Sequence, residues 1–216
     1  MNESLESSLI RSVSSDKLTD LGTSISEQFL DTMIKDEDLK DIPIIGTLIK
    51  LYSVGKGIRN YYYIRKVYNF LFSLADIPHK KRVDFIKKIS RSDGRKKEFG
   101  ETIMLLLERN DNLKKPFIIG NIINALINHK LEYQIALRMC SMIDKCYYPD
   151  LEFLRNYSGG IPDKKYVAES LASVGFLDKK DIDYEHVLVI EDYDSSEKYT
   201  LSKFGKYLKE YGFKNV

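Results

Sequence analysis

Apolar residues recur every three or four positions through most of the chain, which is the spacing of one face of an α-helix. The first such stripe predicts a helix over 18–34. A second stripe, over 42–74, begins beside Pro43 and is interrupted at Gly55 and Gly57, so it predicts a helical hairpin with a glycine corner. The same spacing predicts further helices at 83–89, 99–107, 116–126, 131–143, 151–154 and 163–174.

The pattern changes at both ends of the chain. Residues 1–17 are polar and rich in serine, and we expect them to be flexible. The sequence Ser158-Gly159-Gly160 has the composition of a linker. Beyond it, two short β-branched runs at 187–190 and 199–201 flank a polar turn, which predicts an antiparallel hairpin. Ser202 then fits the N-cap of a last helix.

These elements predict a mainly α fold, namely a helical bundle followed by a small winged-helix-like α+β unit. The bundle covers 18–157, with an acidic start, a basic block over 50–97 and a short last helix capped by Asp150. The winged-helix-like unit covers 161–216, where the order is helix, hairpin, helix. A length of 216 residues suits one domain with such an appendage.

Composition indicates a globular chain that stays in a reducing compartment. Hydrophobic residues make up 43% and charged residues 31%, which is enough apolar material for a core. The start lacks the basic and apolar regions of a secretory signal, and no apolar run reaches the roughly 18 residues of a membrane-spanning helix. We therefore expect a cytoplasmic location, with Cys140 and Cys146 reduced and unlinked.

The net charge of +2 conceals a strong asymmetry along the sequence. Residues 42–100 contain 14 basic and 4 acidic residues, whereas residues 1–41 have a net charge of −6 and residues 151–216 a net charge of −2. The basic block is therefore the candidate surface for an anionic ligand. Its candidate residues are Arg59, Arg65, Lys66, Lys80, Lys81, Arg82, Lys87, Lys88, Arg95, Lys96 and Lys97.

Three interpretations of this basic block remain open. It can be a solvated face that the acidic N-terminal segment partly neutralises. It can bind the phosphates of a nucleic acid, or it can contact the headgroups of anionic lipids. The winged-helix-like unit offers few groups for reading bases and is net negative, so we expect nucleic-acid binding to depend on residues 50–97.

No motif in the sequence indicates catalysis, a metal or a cofactor. His79, His129 and His186 lie in different segments, and none has a partner at ligand spacing. The glycines around Lys56 lack the spacing of a phosphate-binding loop, and no nucleophile elbow occurs. The acidic runs at 36–38 and 192–194 lack the glycine and the terminal glutamate of a calcium loop at the required positions. We expect a protein that is not an enzyme and holds no cofactor.

Several stretches resemble uncharacterised bacterial proteins that have a helical body and a winged-helix-like C-terminus and occur in mobile or defence-associated loci. The resemblance covers about residues 35–212. It rests on the residues at 42–46, 57–60, 63–66, 70–71, 142–145, 150–151 and 199–208. It implies a setting in the conflict between bacteria and phage, and it implies no catalytic residues.

Taken together, the sequence predicts a non-enzymatic binding protein, in the setting of bacterial anti-phage defence, that acts through its basic helical surface on a protein partner. One alternative is a DNA-binding regulator of the winged-helix type. Another is a peripheral membrane-targeting effector that uses the 42–74 hairpin.

Overall fold

The computed structural model describes residues 4–21, 37–55, 57–92, 94–180 and 198–214. As the periodicity predicts, the protein is mainly helical, with one small antiparallel sheet near its C-terminus. The helices are α1 (Leu5–Val13), α2 (Glu37–Lys40), α3 (Pro43–Val54), α4 (Ile58–Ala75), α5 (His79–Ser90), α6 (Arg95–Arg109), α7 (Lys115–Ile127), α8 (Tyr133–Lys145), α9 (Tyr148–Asn156), α10 (Lys165–Val174) and α11 (Lys203–Tyr207). The strands are β1 (Leu177–Lys180) and β2 (Lys198–Leu201), and shorter helical turns lie at Asp16–Asp20 and Leu208–Gly212.

After Ser4 the N-terminal segment is helical, whereas the sequence predicts a flexible segment over residues 1–17. Helix α1 begins at a serine cap, because the side chain of Ser4 accepts a hydrogen bond from the amide of Ser7 at 3.3 Å. Leu9 and Val13 are fully buried on its inner face. The serine-rich composition therefore reflects a cap and buried hydroxyls rather than a disordered end.

One of those buried hydroxyls caps another helix. Helix α3 begins with Pro43, and its own N-cap residue, Ile42, contributes no side-chain hydrogen bond. The hydroxyl of Ser12 accepts a bond from the amide of Ile44 at 2.9 Å and donates one to the carbonyl of Ser8, also at 2.9 Å. A side chain of α1 thus satisfies an otherwise unpaired amide at the start of α3.

The predicted hairpin is confirmed, and it packs against α7 at the centre of the molecule. Gly120 of α7 lies so close to α4 that an added Cβ would stand 2.7 Å from the carbonyl oxygen of Phe70. This close approach requires the absence of a side chain at that position. The apolar stripe of the hairpin is buried at Ile44, Leu48, Ile64, Val67, Leu71 and Leu74.

The sheet differs in part from the sequence prediction. Strand β2 occupies the predicted second strand, but its partner is β1, with Leu177 opposite Leu201. The strand predicted at 187–190 lies outside the described residues. Ser202 caps α11 as predicted, since its side chain accepts a bond from the amide of Gly205 at 3.0 Å.

The predicted linker is fixed to the sheet. Gly160 and Tyr199 exchange two backbone hydrogen bonds, of 2.9 and 3.0 Å. The hydroxyl of Tyr157 donates to the carbonyls of both residues. Gly159 and Gly160 have φ angles of 111° and 106°, a region that favours glycine. The segment is therefore a constrained turn that brings a third backbone segment beside β2.

The C-terminal segment packs on the bundle rather than standing apart from it. The side-chain amide of Asn121, on α7, donates to the carbonyls of Gly212 and Lys214 at 2.9 and 2.6 Å. Leu208 and Phe213 are buried in the same hydrophobic cluster as the bundle helices. The described residues after 198 thus cover part of the core, and their removal would expose it.

Asp150 has a different role from the predicted cap. It lies inside the first turn of α9, whose N-cap residue is Tyr147. Its Oδ2 atom accepts a hydrogen bond from the hydroxyl of Ser170 at 2.7 Å. The carboxylate therefore links α9 to α10.

Two further predictions, the helix over 18–34 and the lack of a membrane-spanning helix, can be compared only with the described residues. Most of the helix predicted over 18–34 lies outside the described residues, and its first residues belong to the turn at Asp16–Asp20. In the part of the chain that the structure describes, no helix has both the length and the apolar character to cross a bilayer.

Candidate anionic-ligand surface

Exposed cations cover one side of α5. Lys80, Lys87 and Arg91 are spaced so that they share one stripe of the helix surface, and Lys81 and Lys88 form the neighbouring stripe. Their side chains are exposed, as is that of Asp84, the one carboxylate between them on α5. The opposite side of the helix is apolar and enters the core.

The first turn of α6 continues this surface. Arg95, Lys96 and Lys97 open the helix, followed by Glu98, and all four are exposed. A helix N-terminus is the positive end of the helix dipole, where cations are unfavourable by a few tenths of a kcal/mol each. The positive potential of the backbone therefore adds to that of the side chains. We define the basic face as the exposed cations of α5 and α6: Lys80, Lys81, Lys87, Lys88, Arg91, Arg95, Lys96 and Lys97.

Only some cations of the basic face have partners. Lys97 forms an ion pair with Glu101 at 3.6 Å between Nζ and Oε1, and Lys81 donates to the side-chain oxygen of Asn128 at 2.8 Å. Within the described residues, Lys97 is the one member with an ion pair, and five members make no ion pair, side-chain hydrogen bond or ring contact. These are Lys80, Lys87, Lys88, Arg91 and Lys96.

Arg82 was predicted to belong to this surface, and that prediction is wrong. The residue is 0% exposed, because it is in phase with Phe85, Ile86 and Ile89 on the core side of α5. Its guanidinium donates to four backbone carbonyls at the C-terminal ends of two helices. Val13 and Ala75 are the last residues of α1 and α4, and Ser15 and Ile77 follow them by two positions.

The carbonyls of Val13 and Ala75 are among the last of their helices, which have no partner within the helix and form the negative end of its dipole. Arg82 is therefore a structural residue that joins α1, α4 and α5. Burial lowers its pKa from the ordinary arginine value, an effect that the charge of Asp16 opposes.

Three further predicted cations lie away from the basic face, on α4. Arg59 pairs with Glu108 at 2.5 Å between Nη2 and Oε1. Lys66 donates to the backbone carbonyl of Glu108 at 3.2 Å, and burial lowers the pKa of Lys66. The guanidinium of Arg65 lies over the ring of Tyr61, 5.6 Å from its centroid. Apart from the buried Arg82, the candidate residues therefore form two groups, one on the basic face and one on α4.

The separation follows from the packing of α4 against α6. Arg59 contacts Glu108, and Tyr63 contacts Met104, so the two helices run in opposite directions. Lys96 and Glu108 are twelve positions apart on α6, which is about 18 Å along the helix. The basic face and the Arg59 group therefore occupy opposite ends of α6.

A cleft of about 480 Å³ lies beside the basic face, between α5, the start of α6 and the loop after α7. Lys88, Arg95 and Lys130 contribute positive charge to it, against Glu132. The guanidinium of Arg95 lies 5.1 Å from the ring centroid of Tyr133, which lines the wall together with Phe85. Burial raises the pKa of Tyr133 to about 12, so its hydroxyl stays protonated at neutral pH. The cleft combines cations with an aromatic ring, which suits a phosphate-bearing ligand with a planar base.

The histidines and cysteines, for which the sequence indicates no catalytic role, do not come together in one site. His79 is exposed and its Nε2 lies 3.0 Å from the carbonyl of Ser14, His129 is exposed after α7, and His186 lies outside the described residues. Cys140 and Cys146 are unlinked and buried, and burial raises the pKa of the Cys146 thiol to about 12. In the described segments no three potential metal ligands come together.

Sequence reasoning missed two parts of this region. Lys130 and Tyr133 lie more than thirty residues from the basic block, and only the fold brings them beside Lys88 and Arg95. The phase of Arg82 within α5 was visible in the sequence, because it follows the spacing of the buried residues. No family model, curated protein or solved structure matches the chain.

Proposed function

We propose that this protein is a non-enzymatic binding protein that contacts the phosphates of a nucleic acid through the basic face. The observation that supports the proposal is the set of eight exposed cations of the basic face, of which all but Lys97 make no ion pair among the described residues. A face that served only solubility would be expected to alternate both signs of charge. Here three cations in the first turn of α6 oppose its helix dipole and Glu98 is the one carboxylate of that turn, so the turn carries a local cost that a functional surface can explain.

The adjoining cleft supports a nucleic acid over a simple inorganic anion. The cations of α5 extend over about three helical turns, which suits the repeated charges of a phosphate backbone. Tyr133 and Arg95 offer a stacked aromatic and guanidinium pair at the edge of that face. In the setting that the resemblance implies, such a protein would engage phage or host nucleic acid.

The proposal predicts salt-dependent binding that depends on where the cations lie. The test measures fluorescence anisotropy of labelled single-stranded RNA and duplex DNA oligonucleotides as salt is raised. For the double variant Lys87→Glu/Lys88→Glu, we expect at least a tenfold loss of affinity. If both lysines contact duplex phosphates, the slope of log affinity against log salt should decrease in magnitude by about 2.

The matched control is Lys203→Glu/Lys206→Glu, which makes the same change in net charge at exposed positions of α11. Its affinity should stay within about threefold of the original protein, the change expected from net charge alone. An equal loss in both double variants would contradict the proposal, as would the absence of micromolar binding to either nucleic acid at low salt. Binding of the basic face to anionic vesicles but not to nucleic acid would also contradict it.

The winged-helix-like alternative has one observation in its favour. Gly160 pairs with β2 on the side away from β1, so three backbone segments lie side by side next to α10. The exposed side of α10 carries Lys165 and Glu169, which pair with each other at 3.9 Å. The segment between β1 and β2, where a wing would lie, is outside the described residues. A DNA contact through α10 predicts that Lys164→Glu/Lys165→Glu lowers affinity more than the α5 variant does.

A further inference from the structure

The corner between α3 and α4 exposes large apolar side chains. Val54 is 91% exposed and Ile58 77%, and these residues flank the turn at Gly55 and Gly57. Leu51, three positions before Val54, and Tyr62, four positions after Ile58, are about half exposed. Residues three or four apart share one side of a helix, so the four side chains gather around the end of the hairpin. We refer to Leu51, Val54, Ile58 and Tyr62 as the tip.

This exposure is unusual because the rest of the hairpin follows the ordinary pattern. Its inner stripe, from Ile44 to Leu74, is buried in the core. Scattered exposed apolar residues need no explanation, but a group of them at one protruding corner marks an interaction site. The core accounts for the hairpin's apolar stripe and leaves the tip unexplained.

The hairpin that carries the tip is positively charged. No acidic residue occurs in the 34 residues from Ile42 to Ala75, whereas five basic residues do. Lys50 is exposed on α3, and the side chain of Arg59 is 83% exposed on α4. Glu108 approaches from α6 and pairs with Arg59, which leaves Lys50 beside the tip without an ion pair among the described residues.

From this arrangement we propose that the tip is a docking site for the surface of an anionic lipid bilayer. The apolar side chains enter the boundary between headgroups and acyl chains, and the cations behind them contact the headgroup phosphates and carboxylates. Lys50 lies four residues before Val54, about 6 Å along α3. That offset matches the depth of about 5–10 Å to which interfacial helices bury their apolar face.

A second copy of the chain fits the tip less well. Two tips in contact would bring Lys50 and Arg59 of each copy together, and like charges at an interface oppose association. No described helix can span a bilayer, so the contact is peripheral. It is also independent of the nucleic-acid proposal, because the tip and the basic face lie at opposite ends of α6.

The chain contains no tryptophan, which allows a direct test with single-tryptophan variants. Val54→Trp places the probe on the tip. Ile161→Trp places it at another exposed apolar residue, 55% exposed and far along the chain. Each protein is mixed with vesicles of phosphatidylcholine alone or of phosphatidylcholine with phosphatidylserine. We expect a blue shift of emission, and quenching by brominated lipid, for Val54→Trp with the anionic vesicles only.

Vesicle flotation of proteins without an introduced tryptophan excludes an effect of the tryptophan itself. Val54→Asp/Ile58→Asp should reduce binding to phosphatidylserine vesicles at least tenfold, whereas Ile161→Asp should leave it within about twofold. Both sites are exposed, so circular dichroism should stay unchanged.

Three outcomes would overturn the lipid proposal. They are no flotation of the original protein, an equal blue shift at position 161, and tip-dependent dimers in sedimentation without vesicle binding. Because Lys87→Glu/Lys88→Glu leaves the tip intact, its vesicle binding should persist when nucleic-acid binding is lost, and the two proposals can fail separately.

Discussion

Replacing Arg82 tests whether a fully buried cation holds three helices together. The side chain donates to four backbone carbonyls, at 3.0 Å for Val13 and 2.6 Å for Ser15 in the N-terminal segment, and to Ala75 and Ile77 at the end of α4. Methionine matches its length and can fill the space, but it has no donor. Arg82→Met therefore leaves these acceptors in the core without partners.

The expected loss of stability is large. A hydrogen bond to a charged group contributes about 1.5–3 kcal/mol, and the contributions of bonds that share one side chain are not additive. Burying a guanidinium also has a desolvation cost, and its removal returns part of that cost. Balancing these effects, we expect Arg82→Met to lower the free energy of unfolding by about 4 kcal/mol. Arg82→Lys keeps a charge and some donors, so about 2 kcal/mol is expected.

The assay is urea denaturation followed by far-ultraviolet circular dichroism. A loss of about 4 kcal/mol corresponds to a decrease of about 1.5–2 M in the urea midpoint. Lys88→Met is the control, since it removes an exposed cation of the same helix and should change stability by less than about 0.5 kcal/mol. If Arg82→Met does not fold, the comparison rests on Arg82→Lys. A loss below about 1 kcal/mol for Arg82→Met would refute the role assigned to this residue.

Four other contacts make separate predictions. Gly120→Ala should destabilise the protein by about 1–3 kcal/mol in urea, because its Cβ would meet Phe70 and Ser73, whereas Gly55→Ala, with no atom within 4 Å of the new Cβ, should not. Ser12→Ala should cost about 1–2 kcal/mol by the same measurement, since it strands the amide of Ile44. Asn121→Ala should cost a similar amount and expose the C-terminal residues to carboxypeptidase, with the exposed Asn156→Ala as control. A thiol reagent at pH 8 should react slowly with the native protein and count both cysteines in urea, because burial raises both thiol pKa values and keeps them protonated.

Helices were predictable where burial follows a regular period. The α3–α4 hairpin is an example, because its apolar stripe, its proline at the start and its glycines at the corner agree with one another. Segments whose role depends on distant partners were not predictable. Helix α1 was read as a flexible end, since nothing in its own residues shows that Ser12 would meet Ile44, 32 positions away. Likewise, the composition around Gly160 indicates a linker, and only the backbone pairing of Gly160 with Tyr199 shows that the segment is held against β2.

The candidate surface shows the same limit. Composition identified the basic block, but charge alone did not distinguish a cation in water from one in the core. Arg82 and Lys88 belong to one helix, and only their phase against Phe85 and Ile89 separates them. The apolar tip was missed for the opposite reason. Val54 and Ile58 have the residue types of a core, and only the geometry of the corner shows that no described residue covers them.

Because buried and exposed cations lie on opposite sides of α5, a role in binding can be distinguished from a role in stability. If the basic face exists to bind phosphates, Lys87→Glu/Lys88→Glu should remove binding while the urea midpoint stays nearly unchanged. A cation that supports the fold should behave in the reverse manner, so Arg82→Lys should lower the midpoint while the protein that remains folded keeps its affinity. Both changes lie on α5, within about one and a half turns of each other. A loss of stability in the α5 double variant, or a loss of affinity in folded Arg82→Lys, would mean that the two sides of this helix are not independent. In that case the basic face could no longer be treated as a binding surface separate from the core.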